Sequence, residues 1–511
     1  MKKPDRKIRT RTTPPPPMTD LRNQTVRGAS WMALSQVVSQ AARIGFMIAL
    51  ARLISPADFG LWGMALVFTG FASLLGDVGL GAALIQRAQI EPRHLDTVFW
   101  INLGLGIALA AGMVAVAGPL AAFYKTPALA PLLAVAATEC IIKGLSGVHR
   151  VLLVRAMQFR LIAVQETAAL LLAGLTACLL AAAGWGAWSL VAQNLVFATA
   201  VAASMLFLHP WRPSFRFDAA SLRELLHFSL HLQAFNLLNY WLRNLDKFLI
   251  GRLLGDVALG HYNRAYTTML LPQSQITGTL ERVLWPALSR CAHDPERLRD
   301  AYLRTLRIIA LVSFPFMVGL AVTAPDFVVV VFGPAWEPAV APLQWLCIAG
   351  FLQTPVSTLG WLYLASGRTR RMLAWSVLAA AISIPAIVIG ALAGSINSVA
   401  IWYAGSSLII APLAFVVAAP LARLTFRRVV ASLAGSAAAA LAMAGLVTAV
   451  NTAMAGSSAT LRLAASTITG ILAYALFAFR TTAATEARHA LLSLRTRHQP
   501  PIADEPAPVT P

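Results

Sequence analysis

Apolar residues in this chain fall in long, nearly charge-free runs, unlike the narrow stripes of a soluble amphipathic helix. Fourteen runs stand out, at about 28–51, 59–85, 97–120, 128–148, 161–183, 186–208, 227–250, 261–285, 306–325, 339–365, 372–392, 396–421, 429–450 and 460–479. A helix of about 20 apolar residues crosses a hydrocarbon layer of about 30 Å, and each run meets that length. The pattern predicts an all-α polytopic membrane protein with fourteen transmembrane helices.

The runs repeat. At an offset of 200 residues, Arg43, Arg52, Leu53, Gly60 and Ala65 align with Arg243, Arg252, Leu253, Gly260 and Ala265, and Trp62 aligns with Tyr262. The match covers the first helix of a six-helix group and the loop after it. Six is even, so both copies share one orientation. The expected organisation is a six-helix bundle over 28–208, a cytoplasmic linker over 209–226, a second bundle over 227–421 and two appended helices over 422–480. Parallel repeats of this kind build secondary transporters, which bind cargo between the repeats. The linker stretch from Ser221 to Phe228 has a capping Ser with Glu224 three residues on, and predicts an interfacial amphipathic helix. Residues 1–27, basic with Pro14 to Pro17, and residues 481–511 are expected to be disordered cytoplasmic arms.

Charge placement changes the picture more than its amount. The chain is 58% hydrophobic and 12% charged, with a formal net charge of +20 and a mean hydropathy of +0.68. The surplus does not point to nucleic acid. Of the 41 Lys and Arg residues, only Arg52, Lys125, Arg252 and Arg462 fall in outer loops when the N-terminus is cytoplasmic. Lys and Arg concentrate on cytoplasmic loops in such proteins, which puts both termini inside. The outer loops are short, the longest running from about Pro325 to Pro338, and leave no room for the external catalytic platform of a polysaccharide polymerase or ligase. The longest cytoplasmic loop after the linker is expected over Pro286 to Arg304. Four cysteines lack metal-ligand spacing, and no phosphate-cradling loop, zinc-type His pair or nucleophile elbow is present. No cofactor is expected, and energy is left to an ion gradient of H+ or Na+.

The remaining chemistry lies in ionisable residues within the apolar runs, which are costly there and face a cavity or a partner. Arg43 and Arg243 occupy equivalent places, each nine residues before the outer arginine of its repeat, or about 13 Å below the surface at 1.5 Å per residue. Guanidinium groups there suit a diphosphate, which Arg grips bidentately. The other reading is that they lock helices together, and Asp246 and Lys247 stand one turn from Arg243. Glu139 and Lys143 have the i,i+4 spacing of an ion pair. Lys143 and Lys247 complete the set of candidate cations around a cargo. Asp77, Glu139 and Asp246 are the candidate coupling-ion or ion-pair acids. Glu166 and Glu281 are expected to be partners inside a bundle, and Arg264 and Arg282 to snorkel from the ends of one helix.

Ordered motifs carry a resemblance. They run from Leu53-Ile-Ser-Pro-Ala-Asp58-Phe-Gly60, through Phe71 with Gly76-Asp77-Val-Gly79-Leu80 and Gln86-Arg87, to Arg243-Asn-Leu-Asp246. Gly251-Arg-Leu-Leu-Gly255, Leu259-Gly260-His-Tyr262, Pro286-Ala-Leu-Ser-Arg290 and Phe332-Gly333-Pro-Ala-Trp336 continue the series. Over about residues 25–425 the chain resembles the Wzx-type polysaccharide flippases, in the colanic-acid-exporter-like branch of a superfamily that also holds multidrug antiporters and the lipid II flippase. The resemblance implies two bundles around a V-shaped central cavity and a bacterial inner-membrane location. It implies a cargo of undecaprenyl-diphosphate-linked oligosaccharide moved by alternating access, without enzyme chemistry. It further implies partners in the bilayer and in the polysaccharide polymerase and chain-length or export machinery. The other readings are a multidrug/cation antiporter or a lipid II flippase of the same fold and, behind them, a polysaccharide polymerase or ligase; an antiporter cavity favours acids, whereas Arg43, Arg243, Lys143 and Lys247 suit an anion.

Reporter fusions test the topology. Fusions within 209–226, within 286–304 and after 480 are expected to report cytoplasm, and fusions near 125, 255 and 333 the outside. A cytoplasmic signal at 333 breaks the fourteen-span expectation.

Overall fold

Long apolar runs leave the backbone nothing but its own helix to satisfy its N–H and C=O groups in lipid, and the chain responds with helices almost throughout. The computed structural model describes residues 18–478 apart from 77–79, 87–89, 209, 216–217 and 292, and most of their side chains outside 18–35, 219–235 and 272–287. In order, the helices are α1 (Met18–Leu53), α2 (Pro56–Gly76), α3 (Leu80–Gln86), α4 (Pro92–Tyr124), α5 (Leu129–Ala136), α6 (Thr138–Arg155), α7 (Phe159–Ala182) and α8 (Ala187–Leu208). Then come α9 (Ala219–Arg290), α10 (Pro295–Val331), α11 (Val340–Ser357), α12 (Leu359–Ala365), α13 (Thr369–Leu392), α14 (Ile396–Ala418), α15 (Phe426–Ala453) and α16 (Ala459–Ala478). A 3-10 turn over Pro334–Ala339 joins α10 to α11. No strand occurs among the described residues. Among the described residues, eleven helical stretches are long and apolar enough to cross a membrane. The other expected runs, 28–51, 227–250 and 261–285, coincide with α1 and with the two arms of α9.

Gly255 makes those arms. Its φ of 90° and ψ of −177° break the helical course of α9, a conformation that favours glycine. The chain therefore turns back at that point instead of running on.

Two loops are shorter than the sequence suggested. The expected connection from Pro286 to Arg304 is nearly all helix. α9 continues to Arg290, and α10 starts at Pro295 with Asp294 as its cap, accepting from the backbone N–H groups of Glu296 at 3.0 Å and Arg297 at 3.2 Å. A capping Asp followed by Pro at the first helical position starts a helix regardless of the charges beyond it. The expected outer loop from Pro325 to Pro338 likewise begins inside α10, which carries Pro315 and Pro325 and ends at Val331. Proline is tolerated in membrane helices because neighbours re-satisfy the freed groups.

Contacts sort the helices into α1–α8 and α9–α16, meeting chiefly where α2 packs on α9. The meeting point lies at the end where α2 begins. A Cβ on Gly60 would overlap the backbone oxygen of Asp256, and one on Gly260 would overlap that of Pro56. Residues 56 and 60 thus meet 256 and 260 reciprocally, at the repeat offset of 200. The helix ends around this crossing follow the same exchange. Arg52 Nε donates to the Val331 oxygen at 3.1 Å, at the end of α10, while the Arg252 guanidinium lies 5.0 Å from the Phe123 ring, at the end of α4. Trp336 Nε1 donates to the Ala51 oxygen at 2.7 Å. A buried core of Leu50, Met64, Ala65, Ile250, Tyr262 and Trp336 surrounds the crossing.

At the opposite end the connector after α8 is strapped to the start of α4. Asp96 Oδ1 accepts from Ser214 N at 3.0 Å, Trp100 Nε1 donates to the Ser214 oxygen at 2.9 Å, and Thr97 Oγ1 accepts from Asp218 N at 3.0 Å. The stretch after it, expected as a separate interfacial helix, is the first part of α9 itself.

The crossing is testable. Gly60→Ala is expected to lower the thermal unfolding midpoint of the purified protein by several degrees, since overpacking costs about 1–3 kcal/mol. Gly112→Ala, where a Cβ meets nothing within 4 Å, is expected to leave it unchanged or slightly higher. Equal midpoints for the two variants would refute the role given to the crossing.

Candidate functional site

A cavity of about 860 Å³ opens among α2, α3, α4, α6 and α8, with Asn236 of α9 at its margin. It lies toward the end of α2 away from Gly60, because Ser73, Gly76 and Ile85 line it. The polar lining comes from Ser73, Asn102, Glu139, Lys143, Ser146, Arg150, Asn194 and Asn236.

The helix α6 supplies the charges. Glu139, Lys143 and Arg150 fall at i, i+4 and i+11, on one face of an α-helix. Lys143 Nζ stands 2.5 Å from Glu139 Oε1 and 2.9 Å from Ser73 Oγ. Asn194 Nδ2 donates to Glu139 Oε2. Arg150, two turns on and about 10.5 Å along the axis, pairs with Glu166 Oε1 at 2.8 Å. Both carboxylates sit behind their cations. The Lys143 and Arg150 side chains are 51% and 54% exposed, against 9% and 35% for Glu139 and Glu166. The accessible wall is therefore positive. An ammonium has three donors; two of those on Lys143 are engaged, and the third is left for a ligand.

A second polar cluster is buried around α9. Asp246, 3% exposed, accepts from the Tyr262 hydroxyl at 3.0 Å. Tyr262 stacks on Tyr266 with centroids 6.1 Å apart, and Tyr266 meets Tyr403 at 6.3 Å. Tyr403 donates to Gln353 Oε1 at 3.2 Å, and Gln353 Nε2 donates to Ser407 Oγ at 2.8 Å. Lys247 Nζ reaches Asn244 Oδ1 at 3.2 Å and lies 5.1 Å from the Tyr266 ring centroid. The cluster joins α9, α11 and α14, and no cation neutralises Asp246 by an ion pair among the described residues.

The sequence candidates thus separate. Glu139 and Lys143 come together in the cavity wall, while Asp246 and Lys247 stand on α9. Arg43 and Arg243 are exposed, make no hydrogen bond or ion pair among the described residues and do not line the cavity. Asp246, offered as a partner for Arg243, bonds Tyr262 instead. Asp77 lies outside the described residues, as do the side chains of Glu281 and Arg282. Arg264 does not snorkel: it is 7% exposed, because three aromatic rings rather than water surround it. Sequence reasoning missed Arg150, Asn102 and Asn194. Arg150 was readable, since seven residues from Lys143 is the same face; the asparagines carry no charge to mark them within an apolar run.

The motif Leu53-Ile-Ser-Pro-Ala-Asp58 proves to be helix-end chemistry. Asp58 Oδ2 accepts from Ser55 Oγ at 2.7 Å and Oδ1 from Ala187 N at 3.1 Å. A carboxylate at the start of α8 is stabilised by the free N–H groups there.

Comparison with known proteins agrees with this architecture. The family described as polysaccharide biosynthesis protein matches residues 49–341. The lipopolysaccharide biosynthesis protein WzxC of Escherichia coli (strain K12) is 31% identical over 382 residues, covering 74% of this chain and 77% of its own. The succinoglycan biosynthesis transport protein ExoT of Rhizobium meliloti (strain 1021) is 29% identical over 376 residues, 74% of this chain and 76% of its own. Among solved structures, the lipid II flippase MurJ in an inward closed conformation superposes with a TM-score of 0.70 at 13% identity, over 88% of this chain and 97% of its own. That likeness is one of fold. With more than half its length matched by the family and such a relative in WzxC, the chain belongs to the polysaccharide biosynthesis protein family, within the Wzx-type flippases.

Proposed function

We propose that the protein moves a lipid-linked oligosaccharide, anchored on undecaprenyl diphosphate, across the bacterial inner membrane by alternating access. The observation that carries this reading is a polar cavity, walled by exposed cations, that lies away from the sealed crossing of Gly60 and Gly260. Fourteen crossings follow from counting α1 and both arms of α9 with the eleven apolar stretches. Both termini are then cytoplasmic, the Gly60 end faces outward, and the cavity faces the compartment where the cargo is made. Residues 28–208 and 227–421 act as two six-helix units around a V-shaped central cavity, with α15 and α16 appended over 422–480.

The residues take roles accordingly. Lys143 and Arg150 meet the diphosphate, which favours charge-assisted donors. Asn102 and Asn194 offer amides to sugar hydroxyls. Arg43 and Arg243 wait as free guanidinium groups on α1 and α9 for the cargo as the two units rearrange. Asp246, Glu139 and Asp77 are the acids on which an H+ or Na+ gradient acts. The process makes and breaks no covalent bond. A polymerase and chain-length or export machinery receive the cargo on the outer side.

A deletion strain is expected to lose one surface polysaccharide and accumulate its lipid-linked repeat unit. Normal polysaccharide in that strain would refute the reading.

Within it, Lys143→Met is expected to lower export at least about tenfold, as a lost hydrogen bond to a charged group costs about 1.5–3 kcal/mol. Glu139→Gln with Lys143→Met removes the orphaned carboxylate and is expected to stay defective. Recovery of export in the double variant would make the pair structural only.

Arg43→Ala is expected to abolish export while the protein still accumulates in the membrane, and Arg43→Lys to restore it partly, since Lys keeps the charge without the planar fork. Full export from Arg43→Ala at a normal protein level would remove Arg43 from the site.

A further inference from the structure

The seal around Gly60 and Gly260 holds a buried cation that packing alone does not account for. Arg264 stands on the second arm of α9, and its guanidinium carbon lies 4.2 Å from the ring centroid of Phe59, 4.9 Å from Trp336 and 5.2 Å from Phe332. The residue is 7% exposed, and its Nε and Nη2 are buried without a hydrogen-bond partner. No carboxylate pairs with it among the described residues. Rings attract a desolvated cation through their faces, yet they accept no ordinary hydrogen bond, so the guanidinium gives up water without full replacement.

The cage is divided between the two groups of helices. Phe59 belongs to α2, while Arg264, Phe332 and Trp336 belong to α9, the end of α10 and the 3-10 turn. Separating α2 from α9 removes one ring and admits water to the freed donors. The repeat sharpens the point, because the position equivalent to Arg264 is Met64, which is fully buried. An apolar side chain therefore serves the same crossing from the other repeat with no cation at all.

We propose that Arg264 is a loaded gate residue, whose incomplete solvation drives the sealed end open while its aromatic cage holds it shut. The seal is then balanced rather than merely tight. The proposal rests on the alternating-access reading for its use but not on the cargo.

The two forces make opposite predictions. Replacing Arg264 by the residue of the other repeat, Arg264→Met, removes the drive to open. Phe59→Leu removes a restraining ring and keeps the drive. Spin labels at Lys125 and Ala335, both exposed, on a background in which Cys140, Cys178, Cys291 and Cys347 are replaced, report the separation of the sealed end in lipid nanodiscs by pulsed EPR. Arg264→Met is expected to lose the long-distance component. Phe59→Leu is expected to raise the ratio of long to short component about tenfold, equivalent to about 1.4 kcal/mol. Arg264→Lys, which keeps a cation in the cage, is expected to retain the long component. Shifts in the same direction for Arg264→Met and Phe59→Leu would mean that both act by packing alone and would overturn the proposal, as would unchanged distances in both or loss of the long component in Arg264→Lys. The distances are read without cargo, so a protein with a different cargo gives the same pattern, and failure here leaves the cargo assignment standing.

Discussion

Everything in this molecule hangs on two backbones touching at Gly60 and Gly260. In lipid there is no hydrophobic force to push helices together, so association relies on close packing and on small residues that let backbones approach. The reciprocal contacts from 56 to 260 and from 60 to 256 bring α2 and α9 so close that no Cβ fits at either glycine. Around that point the aromatic and aliphatic core from Leu50 to Trp336 closes one end of the protein. A cavity opens farther along α2, toward its other end. Site and seal thus lie toward opposite ends of one helix.

Charges inside the membrane follow a second constraint, that each must find a partner or a wet surface. Glu139 has Lys143 and Asn194, Asp326 has Arg462, and Asp246 has the hydroxyl of Tyr262. Among the described residues the exceptions are informative. Arg43 and Arg243 lie exposed on their helices, and Arg264 is held by rings alone. Paired groups build the frame, while groups left partly satisfied are free to change partners when the helices move.

Much of the fold was legible because length and apolarity decide a membrane helix. The apolar runs fall on helix among the described residues, eleven of them on stretches long and apolar enough to cross a membrane, and the offset of 200 residues aligned Gly60 with Gly260 without saying that they meet. Loop lengths were less legible, since the charges of Glu296 to Asp300 suggest a loop while the Asp294-Pro295 start makes a helix. The site was half legible. The i,i+4 spacing of Glu139 and Lys143 identified a local pair, and Asp58 read as part of a motif without its capping role. Pairing across helices was not legible, for nothing in the sequence says that Asp246 turns to Tyr262, that Arg150 turns to Glu166, or that Arg264 lies among rings from α2 and α10. Those depend on how helices rotate about their axes, which apolar runs with little sidedness leave open.

The side chains that bond helix-end carbonyls at the sealed end have a consequence for the surrounding lipid. Trp336 bonds the Ala51 oxygen, and Arg52 bonds the oxygens of Val330 and Val331. The last carbonyls of a helix have no partner within the helix. Parting the two groups of helices strips these oxygens of their donors and leaves them to be met by interfacial water. A thicker bilayer draws that end deeper into hydrocarbon, where water is scarce. The balance between sealed and open forms is therefore expected to vary with membrane thickness, which gives lipid composition a purchase on it through these carbonyls.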